Sequence, residues 1–470
     1  MKKYLLLGLV LSFGFLSAQE IHLTKGKVID AMKVSDSLPG TYSLYLPSKF
    51  TTDKEWPLLF VFDMEGKSNR AIRYLSPVAE EEGYVLVAPD SLQDSVSVSK
   101  NINTLGKTYN AVTDILPIKK ERIYTIGFSK GGQFASVVPV LVSGVAGAIS
   151  CGAPLTSSSA INLKKPFYYI GISGKGDFNY LEMKNNNNFL NRLKFSNELL
   201  YFDGEHQWPP QEILSKALQM FTLSAMSKGL VDKDQGYIDS VFNETTQNIA
   251  RLVSVKKLDK AEKQLQEAIS TFRLHKDVAP LREERKKIRK DKIYKTLKRA
   301  EVNAIFKGRL LREDFNFYVE EDVYTYNFNN LGWWTHQVNE IEKSIKSPNS
   351  IQKQQGQRLK GYLEALVEDN LDIVFTEPEL DNDALSFLWM LKTIVSPKDY
   401  DTYLKLISHS ARGEDYGTSI FYLEELLKNG YTNVEKLYSL EYTALLKISP
   451  EYNAVIEKHL KKARYLIKEE

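Results

Sequence analysis

Between residues 40 and 225 the chain repeats one pattern: a short, continuous apolar run followed by a stretch with helical spacing. The runs are Pro57-Leu58-Leu59-Phe60-Val61-Phe62, Tyr84-Val85-Leu86-Val87-Ala88, Ile123-Tyr124-Thr125-Ile126, residues 145–151, residues 167–172 and Leu199-Leu200-Tyr201-Phe202. A strand with one wet face alternates apolar and polar residues, whereas a run that is apolar throughout must be covered on both faces. The helical stretches between the runs, such as residues 76–82 and 131–141, supply that cover. This predicts an α/β domain: a mostly parallel sheet with helices on both faces. Tyr42-Ser43-Leu44-Tyr45-Leu46 alternates instead and is expected as a more exposed first strand.

The character changes near residue 226. Beyond it, Leu258, Ala261, Leu265, Ala268 and Phe272 recur at steps of three or four, which is one apolar helix face. Ile420, Leu423, Leu426 and Leu427 repeat the spacing, as do Val455, Leu460, Ala463 and Leu466. Ser347-Pro348, Glu377-Pro378, Asn429-Gly430 and Ser449-Pro450 punctuate them as loops. The expected domains are 19–225 for the α/β part, 226–236 for a polar linker and 237–470 for an all-α, tetratricopeptide-like part. Asp259-Lys260-Ala261-Glu262 with Ala268, and residues 422–445 with Gly430-Tyr431 in the turn, look like degenerate units of such a repeat.

The N-terminus reads as an export signal. Met1-Lys2-Lys3 is basic, residues 4–16 are a short apolar run, and Ser17-Ala18 is a small-residue cleavage site, giving a signal peptide at 1–18. The run is short for a bilayer span, and no later segment is long and apolar enough to make one, so an exported chain, periplasmic or secreted, is expected. Cys151 is the single cysteine, so no intrachain disulfide can form, and it is expected as a buried strand-end residue. With 62 basic against 59 acidic residues in 470, nothing points to nucleic acid as a partner.

Gly127-Phe128-Ser129-Lys130-Gly131 follows one apolar run and precedes a helical stretch. A serine on a tight strand-to-helix turn needs small neighbours, and Gly127 and Gly131 provide them. Its hydroxyl then projects above the sheet, and the helix N-terminus adds positive potential beside a developing oxyanion. A weakly acidic hydroxyl needs a base. Of the six histidines, His206 alone lies between this turn and the helical part, just after an apolar run. An acid to orient the imidazole should end a strand between serine and base, which selects Asp177 in Ser173-Gly174-Lys175-Gly176-Asp177. Asp203 is the rival, although three positions before His206 it is awkwardly placed for the far ring nitrogen. Two backbone N–H groups should hold the oxyanion. One is expected from Lys130, the other from Met64 in Phe62-Asp63-Met64-Glu65-Gly66, with Glu65 as its neighbour in contention and Asp63 bracing the loop.

These residues resemble the α/β-hydrolase superfamily, and within it the esterases similar to polyhydroxybutyrate depolymerases and feruloyl esterases. The likeness lies in Tyr45-Leu46-Pro47 with Trp56-Pro57-Leu58-Leu59, in Asp63-Met64-Glu65-Gly66, in Gly127-Phe128-Ser129-Lys130-Gly131-Gly132 and in Gly204-Glu205-His206-Gln207-Trp208-Pro209. The last is the most specific. The resemblance spans roughly residues 40–225 and implies a serine hydrolase acting on carboxylic esters through an acyl-enzyme, with no cofactor. The substrate so implied is a small-molecule or glycan-linked ester, and transfer to an acceptor other than water would use the same residues. A different class of function is an exported binding or scaffold protein, with a weakly active or inactive hydrolase fold and a helical part that docks a protein partner.

Other features read as structural. Residues 281–300 hold ten Lys/Arg against three acids, expected as a solvated helix face with Leu281, Ile288, Ile293 and Leu297 inward. Trp333-Trp334 with Tyr324, Tyr326 and Phe328 is expected as core and not as a sugar platform. Asn185 to Asn188 is expected as a loop beyond Asp177, near the mouth of the site. The histidines are scattered and there is one cysteine, so no metal-ligand spacing is present.

Overall fold

The computed structural model describes residues 23–35, 40–156 and 164–465. The expected export signal at 1–18 lies outside the described residues. The first half comprises β1 Val28–Lys33, β2 Thr41–Tyr45, β3 Trp56–Phe62, α1 Ser68–Glu82, β4 Val85–Pro89, α2 Val98–Ile115, β5 Ile118–Phe128, α3 Lys130–Leu141, β6 Val145–Cys151, β7 Tyr168–Gly174, α4 Tyr180–Arg192, β8 Asn197–Phe202 and α5 Gln211–Ser227. The eight strands form one sheet in the order β1-β2-β4-β3-β5-β6-β7-β8. β2 runs antiparallel to both neighbours, and β3 to β8 are parallel. This is the α/β-hydrolase fold.

The continuous apolar runs fall where both faces are covered: β3, β4 and β7 are buried along their whole length. On one face Leu59, Val61, Tyr124 and Ile170 pack with Ala71 and Leu75 of α1 and Leu214, Ala217 and Phe221 of α5. On the other, Leu58, Phe60, Phe62 and Val87 pack with Leu105 and Val112 of α2 and Phe134 and Val138 of α3. Each fully buried Leu, Val or Phe stabilises the fold by about 1.5–3 kcal/mol relative to exposure. The residues expected as an exposed first strand are neither. Tyr42 and Leu44 of β2 are at most 1% exposed, because β1, with less apolar patterning, takes the edge. β1 breaks its ladder between Ile29 and Met32, with Ala31 at φ +54°, a bulge of the kind that blunts a sheet edge. Asn185–Asn188 is not a loop but the middle of α4, whose buried Tyr180, Met183 and Leu190 fix the helix. The asparagines lie on its outer side, and Asn186 Oδ1 accepts the Leu155 N–H at 2.9 Å.

After a loop at 228–234 the chain is helical: α6 Gln235–Ser254, α7 Leu258–Phe272, α8 Ala279–Lys290, α9 Lys292–Thr325, α10 Leu331–Ile345, α11 Ser350–Thr376, α12 Asn382–Val395, α13 Tyr400–Arg412, α14 Tyr416–Lys428, α15 Val434–Tyr438, α16 Ala444–Ile448 and α17 Pro450–Leu460. Polar caps start many of these helices: Asp234, Asp291, Asn349, Asp381, Asp399, Asp415, Asn433 and Ser449 each accept a first-turn N–H. α6 to α8 share a small core with Leu223 of α5, and α9 to α17 a larger one. A regular 34-residue helix pair does not run through the region, because α9 alone has 34 residues and α11 has 27.

The basic segment lies in α8 and the start of α9, with Lys286 on Glu283, Lys287 on Glu284 and Arg285 on Glu262. Ile288 is inward as expected, but Ile293 is 44% exposed. Asp291 ends α8 and caps α9, so the helical phase restarts there. Trp334 is fully buried, with its Nε1–H donated to Asp322 Oδ2 at 2.8 Å, and Trp333 packs beside it. Tyr324, at 84% exposed, is outside that core.

The helical half docks on the C-terminal end of β7, along β8 and on α4 through charged seams. From α7, Asp259 meets Lys175, Lys260 meets Asp203, and Lys263 meets buried Glu198 beside Glu267. From α9, Glu301 meets Lys184 and the Tyr180 hydroxyl, and Arg312 meets Glu182. Removing Lys263 would strand the charge of buried Glu198.

Candidate active site

β5 ends at Phe128 and α3 begins at Lys130, so Ser129 alone makes the corner, at φ +52° and ψ −123°. A non-glycine residue there costs on the order of 1–3 kcal/mol and persists only where the surroundings over-determine it. The surroundings do so. The Ser129 N–H donates to the Cys151 carbonyl at 2.9 Å, and the Ser129 carbonyl accepts from Gln133 N–H at 3.0 Å. The flanking glycines are required by space: a Cβ on Gly127 would lie 2.2 Å from the Gly131 carbonyl oxygen, and one on Gly131 would lie 2.3 Å from that of Phe62. Cys151 itself is fully buried in β6, and burial pushes its thiol pKa up, which suits an inert strand residue.

The loop after β8 presents His206, and its tail is held by Trp208, whose ring lies 5.7 Å from Phe128 and 6.0 Å from Tyr74. The Tyr74 hydroxyl donates to the Pro209 carbonyl at 3.0 Å. The imidazole is flanked by Phe128 and Phe178, with centroids at 4.7 and 4.6 Å. His206 Nε2 is 3.1 Å from Ser129 Oγ. Its Nδ1 is 3.1 Å from Asp177 Oδ2 and 3.2 Å from Oδ1.

Asp177 follows β7 and is 1% exposed. Its Oδ1 also accepts the Asn179 N–H at 2.8 Å, while Asn179 Nδ2 donates to the Gly152 carbonyl at 2.9 Å. Gly152 must be glycine: it has φ +64°, and a Cβ would come within 3.2 Å of His206 Cε1 and 3.1 Å of Asp177 Oδ2. The rival Asp203 pairs instead with Lys260 of α7, which with Lys175 holds its carboxyl below the usual range against the cost of burial.

At the oxyanion side, β3 delivers Phe62 against Gly131, and the following loop is braced as expected by Asp63. Asp63 Oδ1 accepts from Glu65 N–H at 2.9 Å and Lys67 N–H at 2.8 Å. The Glu65 N–H is therefore committed, which favours Met64 over Glu65 as a donor. Lys130 opens α3, where first-turn N–H groups have no helical partner. Its ammonium meets Asp94 at 2.5 Å, and that hydrogen bond raises its pKa, with smaller contributions from Asp94, Asp372 and Asp369 as charges.

The structure thus brings Ser129, His206 and Asp177 into one hydrogen-bonded line, with Gly127 and Gly131 at the corner, Lys130 as the first residue of α3 and Met64 on the loop after β3. Phe178, Asn179 and the α11 residues behind them were not singled out from sequence. Asn179 follows Asp177 closely enough to suggest an Asx-type brace, whereas nothing local marks α11.

No family model matches this chain, and no curated protein matches it. Solved structures are similar over its first half. S-formylglutathione hydrolase (FrmB) from Staphylococcus aureus is 14% identical, with 42% of this chain and 97% of that one covered and a TM-score of 0.35. The feruloyl esterase module from Clostridium thermocellum is 13% identical, covering 41% of this chain and 87% of that one, TM-score 0.35. Est1E from Butyrivibrio proteoclasticus is 12% identical, covering 43% and 99%, TM-score 0.33. The strand order and directions carry the fold assignment by themselves.

Proposed function

We propose that this protein is an exported serine hydrolase that cleaves carboxylic esters through an acyl-enzyme, with Ser129 as nucleophile, His206 as general base and acid, and Asp177 as the group that orients the imidazole. One observation carries the reading: His206 stands 3.1 Å from Ser129 Oγ through Nε2 and 3.1 Å from buried Asp177 through Nδ1. With Nδ1–H donated to the carboxylate, Nε2 offers its lone pair to the serine hydroxyl. Ser129 attacks the acyl carbonyl, and the proton moves to Nε2 and then to the departing alcohol. Water, deprotonated by the same nitrogen, releases the acid and restores the serine. The N–H groups of Lys130 and Met64 would take the oxyanion. Transfer to another acceptor differs only in what replaces that water.

The substrate class we propose is a small-molecule or glycan-linked ester. Initial rates on short acyl, aromatic acyl and sugar acetate esters test the reading. Turnover that Ser129→Ala abolishes supports it; a folded protein that hydrolyses none of them would favour the binding or scaffold role. Export to the periplasm or exterior is proposed from the basic, apolar and small-residue order of residues 1–18, and N-terminal sequencing of protein recovered from those fractions tests it.

A further inference from the structure

The acid and base loops are not held by the α/β half alone. The Lys175–Asn179 loop, which carries Asp177, has contacts of its own: Lys175 N–H to the Phe202 carbonyl at 2.9 Å and Gly176 N–H to that of Gly204 at 2.8 Å. Its outer side is met by α11. Arg358, buried in the seam, donates Nη1–H to the Lys175 carbonyl at 2.6 Å, and its guanidinium lies 5.2 Å from the Tyr180 ring. Gln357 Nε2 donates at 2.7 Å to Glu205, the residue immediately before His206. Gly176 is pressed so closely that a Cβ would come within 2.6 Å of Gln357 Oε1. One turn on, Gly361 backs Phe178, where a Cβ would lie 3.1 Å from the ring, and that ring stands 4.6 Å from His206. Arg312 of α9 closes the far end by donating to the Phe178 carbonyl.

Positions 357, 358 and 361 form one face of a helix turn. That face touches the acid loop, the base loop and the aromatic wall of the imidazole. We propose that Gln357, Arg358 and Gly361 are positioning residues for the Asp177–His206 pair, so that the helical half is a working part of the hydrolytic site and not an appended module. The proposal rests on the hydrolase reading of Ser129, His206 and Asp177. The physical reason is steep dependence on geometry: a displacement of about 1 Å in a reacting group can cost on the order of 10²-fold in rate.

The test uses the full chain and the Gln357–Glu205 contact, which lies at the rim of the seam and spares the core. Gln357→Glu sets two carboxylates against each other. Adding Glu205→Gln restores the hydrogen bond with donor and acceptor exchanged. The single variant is expected to lower kcat on an ester substrate by up to about fivefold, with KM moved by less than that, and to slow fluorophosphonate labelling of Ser129 in parallel. The double variant is expected to recover most of both, while circular dichroism and the melting curve match the parent throughout. Single and double variants that both work at the parent rate overturn the proposal, as does a loss in the single variant that the double does not repair. A parent protein that fluorophosphonate does not label overturns the hydrolase reading instead, and is read separately because it needs no variant.

Discussion

Replacing Asp177 by asparagine should do more than remove a charge: it should impose the wrong tautomer on His206. The Asn179 N–H donates to Oδ1 at 2.8 Å, so an amide placed there must keep its oxygen at that position. Its NH2 then takes the place of Oδ2, 3.1 Å from His206 Nδ1, and donates to it in competition with the retained oxygen at 3.2 Å. The ring proton is driven to Nε2, which stands 3.1 Å from Ser129 Oγ and no longer has a lone pair for the hydroxyl proton. At 1% exposure, water has little access to relieve the conflict. The same imposed tautomer in a Ser-His-Asp site lowers kcat by about 10⁴-fold, or about 5.5 kcal/mol at 1.36 kcal/mol per decade. The assay is steady-state ester hydrolysis by Asp177→Asn, with the fold checked by circular dichroism. Asp203→Asn serves as the control. It weakens the contact with Lys260 and the attraction to Lys175, leaves the Asp177–His206 pair in place, and should change kcat by less than about threefold. A loss below about tenfold for Asp177→Asn, or a larger loss for Asp203→Asn, would refute the assignment of the acid.

Gly131→Ala drives a Cβ to 2.3 Å from the Phe62 backbone oxygen, which has nowhere to retreat; we expect a loss of about 2–3 kcal/mol in denaturant unfolding and reduced turnover. Burial would raise the Glu301 carboxyl, but Lys184, Lys298 and Tyr180 hold it down at about 2 against an ordinary 4.5. The stability this charge contributes is therefore complete above pH 4.5 and lost as pH falls toward about 2. Glu301→Gln should lower the melting temperature at neutral pH and flatten its fall across that acid window. Cys151, fully buried with its thiol pKa pushed up, should react with a thiol reagent only once the protein is unfolded, as read by absorbance with and without guanidinium.

Much of the sheet was legible because buried parallel strands write themselves as unbroken apolar runs, and β3 to β8 each begin or end within a few residues of such a run. β1 escaped because an edge strand with a bulge has little apolar pattern to read. The asparagine run misled for a different reason: its local preference for turns is overridden by Tyr180, Met183 and Leu190 packing inward from the same helix. In the site, Ser129 and His206 could be singled out because glycine spacing and a scarcity of histidines leave few choices. That the Glu65 N–H is taken up by Asp63 could not be read from the sequence, because it is a matter of loop geometry. The part played by α11 could not be read at all, since Gln357 and Arg358 reach Glu205 and Lys175 across more than 150 residues of chain and no local spacing encodes such a contact.

The central claim is that Ser129 is a nucleophile poised by His206. Fluorophosphonate labelling followed by peptide mass mapping measures it most directly. A single phosphonyl adduct on the Ser129 peptide, absent in Ser129→Ala and strongly slowed in His206→Ala, is the predicted result. A folded protein that takes up no label, or carries it on a different residue, would contradict it.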